Sequence, residues 1–186
     1  GIYQEVIDIL NKVGKTVIDF SGIMSNPTYA KVQDGAKLAK EKNVDFILAV
    51  GGGSVIDCCK IICAQACSDE DIWTMEFEKG QLPAKMLPMG AIVTASGTGV
   101  EMNCGAVITN EEKNIKTGVL GATPVFAILE LDYTKTVPYK QVISGAFDTL
   151  SHALETYLGT SGTNHVSDDV ALAIMKNTVN NIRVIL

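Results

Sequence analysis

Apolar positions recur along the chain with two spacings, and the alternation between them lays out its organisation. Ile2, Val6, Ile7, Leu10 and Val13 form a helical stripe, and the short β-branched run Thr16–Phe20 reads as a strand. Asn26-Pro27-Thr28 signals a helix start, with Tyr29, Val32, Ala36 and Ala39 as the stripe that follows. The run from Asp45 to Val50 has strand length and ends in consecutive glycines, after which a helix is predicted from Ser54 to about Cys67. Strand, helix and strand predict a βαβ unit in a parallel sheet covered on both faces.

Periodicity fades from Ser68 to Pro88, which is expected to be a surface connection. Met89–Thr94 is the next strand. Gly105–Thr109 and Ile115–Leu120 flank the polar turn Asn110-Glu111-Glu112-Lys113-Asn114 as a hairpin, and Phe126–Leu131 is a last strand. After Pro138 the pattern changes to long helices, Tyr139–Leu158 and roughly His165–Val184, the second preceded by a Gly/Thr/Ser-rich loop. That shift places a domain boundary at Pro138, dividing the chain into 1–138 and 139–186. The chain begins inside a helical stripe and stops in an apolar run without a cap, which is expected of a piece cut from a longer protein.

Composition narrows the function classes. With 186 residues, 47% of them hydrophobic, the chain can bury a sizeable core, which excludes general disorder. A net charge of −6 without clustered Lys or Arg argues against nucleic acid as a partner. No signal peptide or apolar run of spanning length is visible, so no membrane is expected and a cytoplasmic location is read. Of the cysteines, Cys59, Cys63 and Cys67 share one helical face; they read as buried reduced thiols rather than a metal cluster, whose ligands usually lie on loops. The odd cysteine count with no spaced framework also points away from secretion. His152 and His165 are the only histidines, which restricts imidazole chemistry to two positions.

Three features carry candidate chemistry. Gly51-Gly52-Gly53-Ser54 lies where a buried strand turns into a helix, so the backbone can approach a ligand and the helix amides can bind a pyrophosphate. Its spacing departs from the G-x-G-x-x-G fingerprint, and a plain tight turn is the alternative. Thr94-Ala95-Ser96-Gly97-Thr98-Gly99 follows a second strand and offers hydroxyls and amides to phosphate or ribose oxygens, although it also suits an ordinary loop. Two such loops at the C-terminal ends of parallel strands lie at the edge where open α/β sheets bind ligands. Lys116 on the hairpin could add a cation there, or be an exposed strand lysine. Asp148 and His152 stand at i, i+4 on one helix, a spacing that fits one divalent cation and equally a surface hydrogen bond. Two ligands do not close a metal site. His165 is read as the start of the next helix rather than a ligand.

Four motifs in order, Gly51-Gly52-Gly53-Ser54-Val55-Ile56-Asp57, Ser96-Gly97-Thr98-Gly99-Val100-Glu101, Val107-Ile108-Thr109-Asn110-Glu111-Glu112 and Gly145-Ala146-Phe147-Asp148-Thr149-Leu150-Ser151-His152-Ala153-Leu154-Glu155, span most of the chain. They resemble the iron-containing (group III) alcohol dehydrogenases, most closely the butanol dehydrogenase branch. The resemblance implies an α/β fold: a Rossmann-like, mostly parallel sheet with a β-hairpin, followed by the start of an all-helical domain, in the dehydroquinate synthase-like two-domain plan. It implies a dinucleotide-binding domain over 1–138, lacking the family's first strand, and the beginning of a helical metal-binding domain over 139–186.

It further implies that Gly52, Gly53 and Ser54 hold the cofactor pyrophosphate, that Asp57 reaches toward the nicotinamide or ribose, and that Thr94, Thr98 and Lys116 contact the cofactor. Asp148 and His152 would be the first two metal ligands, with two histidines of the family falling beyond Leu186. The implied cofactors are Fe(2+), or Zn(2+), and NADP or NAD. The implied reaction interconverts a primary alcohol and an aldehyde by hydride transfer, with a small alcohol or aldehyde as substrate and a homodimer as the intact assembly; the 186-residue piece alone is expected to be inactive. Ala95 and Val100 stand where the family commonly has Thr and often Ser, and Leu129-Glu130-Leu131-Asp132-Tyr133-Thr134 replaces a Leu-Asp-Pro-x-x-Thr pattern, so the second-loop and adenine-side contacts differ. Two rivals are a zinc enzyme resembling glycerol dehydrogenase or dehydroquinate synthase, and a non-catalytic nucleotide-binding fragment.

Overall fold

The fold is built from a three-stranded parallel sheet, an antiparallel hairpin and six helices among the described residues of a computed structural model, which describes residues 1–159 and 165–185. The Gly/Thr/Ser-rich segment 160–164 lies outside the described residues. Helix α1 (Ile2–Lys12) buries Val6 and receives, on Glu5, a hydrogen bond from the Tyr133 hydroxyl. Helix α2 (Tyr29–Glu41) starts where Asn-Pro-Thr signals it: the Thr28 hydroxyl accepts from the Lys31 amide at 3.2 Å, satisfying a first-turn donor. Its buried face is Val32, Gly35, Ala36 and Ala39.

Strands β1 (Ile47–Gly51), β2 (Met89–Val93) and β5 (Phe126–Ile128) pair in parallel in the order β1-β2-β5. The central strand β2 is buried throughout, as expected where both faces are covered. Helix α3 (Gly53–Ala66) joins β1 to β2, and nearly all of its length is buried because sheet, hairpin and α2 surround it. Cys59 and Cys63 face the sheet-side core and Cys58 the other, while Cys67 at the helix end is half-buried. Burial pushes the Cys58 and Cys63 thiols up to about 12, so they remain protonated and pack as small apolar groups. Strands β3 (Gly105–Asn110) and β4 (Ile115–Leu120) form the antiparallel hairpin.

Three expectations are corrected. Thr16–Phe20 is not a strand: it pairs with no other segment among the described residues, so its β propensity is not realised, and the βαβ unit is β1-α3-β2 instead. Phe20 nevertheless packs on the core, with the Lys31 Nζ atom 4.1 Å from its ring centre. Second, the connection 68–88 is not all surface. Ile72 and Trp73 are buried and lead into a π-helical turn, Thr74–Glu78, whose wider period hides it from a 3.6-residue pattern. That turn is fixed by Asp71, which accepts from the Thr74 amide and the Tyr29 hydroxyl, and by Gln65, which accepts from the Ile72 amide. Third, the last strand ends at Ile128, because Glu130 accepts from the Asp132 amide at 3.1 Å and caps the short helix α4 (Leu131–Thr134).

Gly121, just past β4, is where the hairpin return meets α3. A Cβ there would lie 2.7 Å from the carbonyl carbon and oxygen of Lys60, backbone atoms that cannot swing aside. Gly121→Ala is therefore expected to destabilise the fold by about 2 kcal/mol through overpacking, read as a lower midpoint in urea unfolding.

The chain divides into two compact units: Gly1–Ala95 with Gly99–Lys135, and Ser96–Thr98 with Thr136–Leu186. The second holds the long helices α5 (Tyr139–Leu158) and α6 (His165–Ile185), which pack against each other. Among the described residues no helix is long and apolar enough to cross a membrane.

Candidate nucleotide site and metal pair

The first unit brings the Gly51–Ser54 turn and the residues that follow β2 together at the C-terminal edge of the parallel sheet. The register Gly51↔Val93 brings the ends of β1 and β2 level, and the Thr94 amide donates to the Gly51 carbonyl at 3.0 Å. The loops that follow consequently lie side by side: a Cβ on Gly52 would sit 3.5 Å from Ala95, and one on Gly53 would sit 3.5 Å from Val100. Gly52 caps α3, its carbonyl accepting from the Val55 and Ile56 amides. The Gly53 and Ser54 amides and the Ser54 hydroxyl have no hydrogen-bond acceptor among the described residues, which leaves donors and the positive helix end facing the loop. Sheet edge, small residues and unused donors together fit a pyrophosphate.

Asp57 stands one turn along α3 from Gly53. It is buried, with Oδ2 accepting from the Val107 amide at 3.0 Å and Oδ1 shielded from solvent without a partner among the described residues. Burial raises its pKa above the ordinary carboxylate range, against the opposing pulls of the Val107 hydrogen bond and of Lys60. A buried acceptor without a donor is costly, and an amide or hydroxyl hydrogen of a bound ligand would satisfy it. Lys116, on β4, is exposed, and its Nζ atom donates to Asn26 at 2.7 Å, at the entrance to α2. Thr98 belongs to the second unit.

No motif or spacing singles out Lys60, yet its side chain is fully buried and donates to Asn103 Oδ1 at 3.0 Å and to the Gly105 carbonyl at 2.6 Å. The signal that could have found it is a single charge inside the apolar run Cys58-Cys59-Lys60-Ile61-Ile62-Cys63, which must be paired if that helix is buried.

In the second unit, Asp148 Oδ1 lies 3.7 Å from His152 Nε2 on one face of α5, and His152 Nδ1 lies 3.9 Å from Glu155 Oε2. Both Asp148 and His152 are half-exposed. Two metal bonds of about 2.1 Å can span a donor separation up to about 4.2 Å, so the pair fits one first-row divalent cation. Glu155 stands beside the other ring nitrogen, where a carboxylate orients a metal-bound imidazole. Among the described residues no group of three or more His, Cys, Asp or Glu side chains is arranged to hold a metal. Two donors by themselves do not close a metal site.

Residues 1–131 match the family described as iron-containing alcohol dehydrogenase. The chain belongs to the iron-containing alcohol dehydrogenase family. Within it, the chain is 41% identical over 181 residues to the probable NADH-dependent butanol dehydrogenase 1 of Bacillus subtilis, covering 96% of this chain and 46% of that protein. It is 37% identical to the NADPH-dependent aldehyde reductase YqhD of Escherichia coli, over 94% of this chain and 46% of that protein. The crystal structure of NADH-dependent butanol dehydrogenase A from Thermotoga maritima superposes with a TM-score of 0.88 at 38% identity, covering 98% of this chain and 47% of that one. The chain thus spans about half the length of the relatives it matches, and the α/β fold expected from the motifs is the fold of this family.

Proposed function

We propose that the protein is an NAD(P)-dependent, metal-assisted alcohol dehydrogenase that interconverts a primary alcohol and its aldehyde, and that this chain supplies the nucleotide cradle and two of the metal ligands. The observation that carries this reading is the glycine-capped start of α3 beside the β2 loop, with the unpartnered Asp57 oxygen one helical turn away. In it, the Gly52, Gly53 and Ser54 backbone, the Ser54 hydroxyl and Thr94 hold the pyrophosphate, Asp57 accepts from the nicotinamide or ribose side, and Lys116 completes the cofactor contacts of this unit. Lys116 would exchange its Asn26 contact for the ribose.

Asp148 and His152 would hold the metal, Fe(2+) by family and Zn(2+) as the alternative. When bound, the metal would supply Lewis acidity toward an alcohol oxygen, and the nicotinamide would supply a hydride acceptor. Asp148 would contribute a carboxylate oxygen and His152 an imidazole nitrogen, with Glu155 near the other ring nitrogen. Small glycines on the approach side let the dinucleotide lie against the sheet edge, which excludes water from its phosphates. A division of roles at Pro138, nucleotide binding over 1–138 and metal binding over 139–186, belongs to the same reading, as do a cytoplasmic location and a homodimeric assembly. NADH and NADPH relatives both occur, so the preferred nucleotide is read by titrating each.

Asp57→Asn separates binding from stability. Because burial raises the pKa of Asp57, its protonated form favours the fold at low pH and its ionised form weakens the fold as pH rises above the ordinary carboxylate range. Removing the charge is therefore expected to raise Tm at neutral pH, with the gain shrinking toward acid pH. Replacing the acceptor oxygen by an amide donor is expected to weaken NADH or NADPH binding in the same variant. Fluorescence titration of the nucleotide beside thermal melts checks both, and undiminished binding would remove Asp57 from the site.

A further inference from the structure

The edge of β3 turned away from β4 is closed by side chains and by a loop. Backbone groups of alternate strand residues point the same way. Cys104 sends its carbonyl to the Gly121 amide beside β4, whereas Gly105, Val107 and Thr109 face the other side. There the Gly105 carbonyl accepts from Lys60 Nζ at 2.6 Å, the Val107 amide donates to Asp57 Oδ2 at 3.0 Å, and the Thr109 amide donates to the Pro27 carbonyl at 3.0 Å. Two side chains one turn apart on α3 thus act as a substitute strand. Asn103 Oδ1 accepts from both Lys60 Nζ and the Gly105 amide, at 3.0 Å each, so the ammonium holds the turn through which the Thr94–Gly99 loop and its short helical exit enter β3.

We propose that Lys60 is a positioning residue of the nucleotide site: by pinning Asn103 and Gly105 it steadies the end of β3 whose Val107 amide engages Asp57 Oδ2, so that the buried Oδ1 alone is left for a donor of the cofactor. The proposal rests on the nucleotide-binding reading above. Lys60 itself is enclosed by protein and touches no solvent, so it acts through Asp57 and not by contact with the ligand. Its burial, which lowers its pKa, is tolerated because two oxygens accept from it. Without that tie the Asn103 turn and the Gly105 end of β3 loosen beside Asp57, and the carboxylate can rotate to offer either oxygen to either partner.

The test is a double-mutant cycle of Lys60→Met and Asp57→Asn on the full chain, with NADH and NADPH affinity measured by fluorescence titration and foldedness by circular dichroism. Lys60→Met is expected to weaken nucleotide binding about tenfold in the parent, as a lost charge-assisted hydrogen bond does, and much less in the Asp57→Asn background. Equal losses in both backgrounds, or no loss in the parent, overturn the proposal. Asn103→Ala, at an exposed position, gives the same answer where Lys60→Met fails to fold: a smaller loss that again vanishes with Asp57→Asn supports the tie, and an additive loss refutes it. Absence of nucleotide binding by the parent overturns the nucleotide reading itself and this proposal with it, a result distinct from additivity.

Discussion

His152→Ala is expected to lower affinity for Fe(2+) by more than about 100-fold, since losing an orienting neighbour of a ligand already costs ten- to a hundredfold and losing the ligand removes a bond. His152 is half-exposed on α5, so its truncation leaves no buried cavity and no orphaned buried partner. Metal retained after dialysis against a weak chelator, counted by elemental analysis, should fall while the helical signal stays. Asp148→Ala should behave alike, because its Oδ1 and the His152 Nε2 address the same cation from 3.7 Å apart. His165→Ala provides the contrast: it stands at the start of α6, outside the proposed ligand set, and should leave metal content unchanged. Metal retained equally in all three variants would remove the α5 pair from the site.

Gly53→Ala is expected to move binding and stability in opposite directions. The added Cβ meets Val100 only at ordinary contact distance, and alanine in the first turn of a helix lowers the entropy of the unfolded chain, so stability should hold or rise. The same methyl group stands where a pyrophosphate would approach the Gly53 and Ser54 amides. Loss of one such charge-assisted contact corresponds to about ten- to a hundredfold weaker nucleotide binding. Titration with NADH and NADPH beside a urea melt reads both quantities. Gly121→Ala, with backbone at 2.7 Å, should do the reverse and cost stability directly. The two alanines together separate glycines retained for a ligand from glycines retained for packing.

The candidate site was legible wherever chemistry is local. A strand that ends in glycines and a helix that begins with a hydroxyl residue form a cradle from adjacent residues, and i, i+4 spacing puts Asp148 and His152 on one face of any helix that forms there. Lys116 was identified as a cation on the hairpin, but its contact with Asn26 depends on where α2 begins in space. Asp57 was legible as a residue and not as a geometry: its two oxygens differ only because Val107 reaches one of them across 50 positions of sequence.

By itself, the sequence determined two strands, read over Asp45–Val50 and Met89–Thr94 and found at Ile47–Gly51 and Met89–Val93, the hairpin, the helices α1, α2, α3, α5 and α6, and the family, because periodicity, turn residues and ordered motifs are properties of neighbouring positions. Tertiary structure alone decided what depends on a partner. Thr16–Phe20 has the composition of a strand and pairs with no segment among the described residues, while the π-helical turn at Thr74–Glu78 exists because Asp71, Gln65 and Tyr29 hold it. Lys60 reads as a charge misplaced in an apolar helix until the fold brings Asn103 and Gly105 to its ammonium. A buried charge and an unpaired strand edge are each unfavourable alone; only the closed structure sets one against the other.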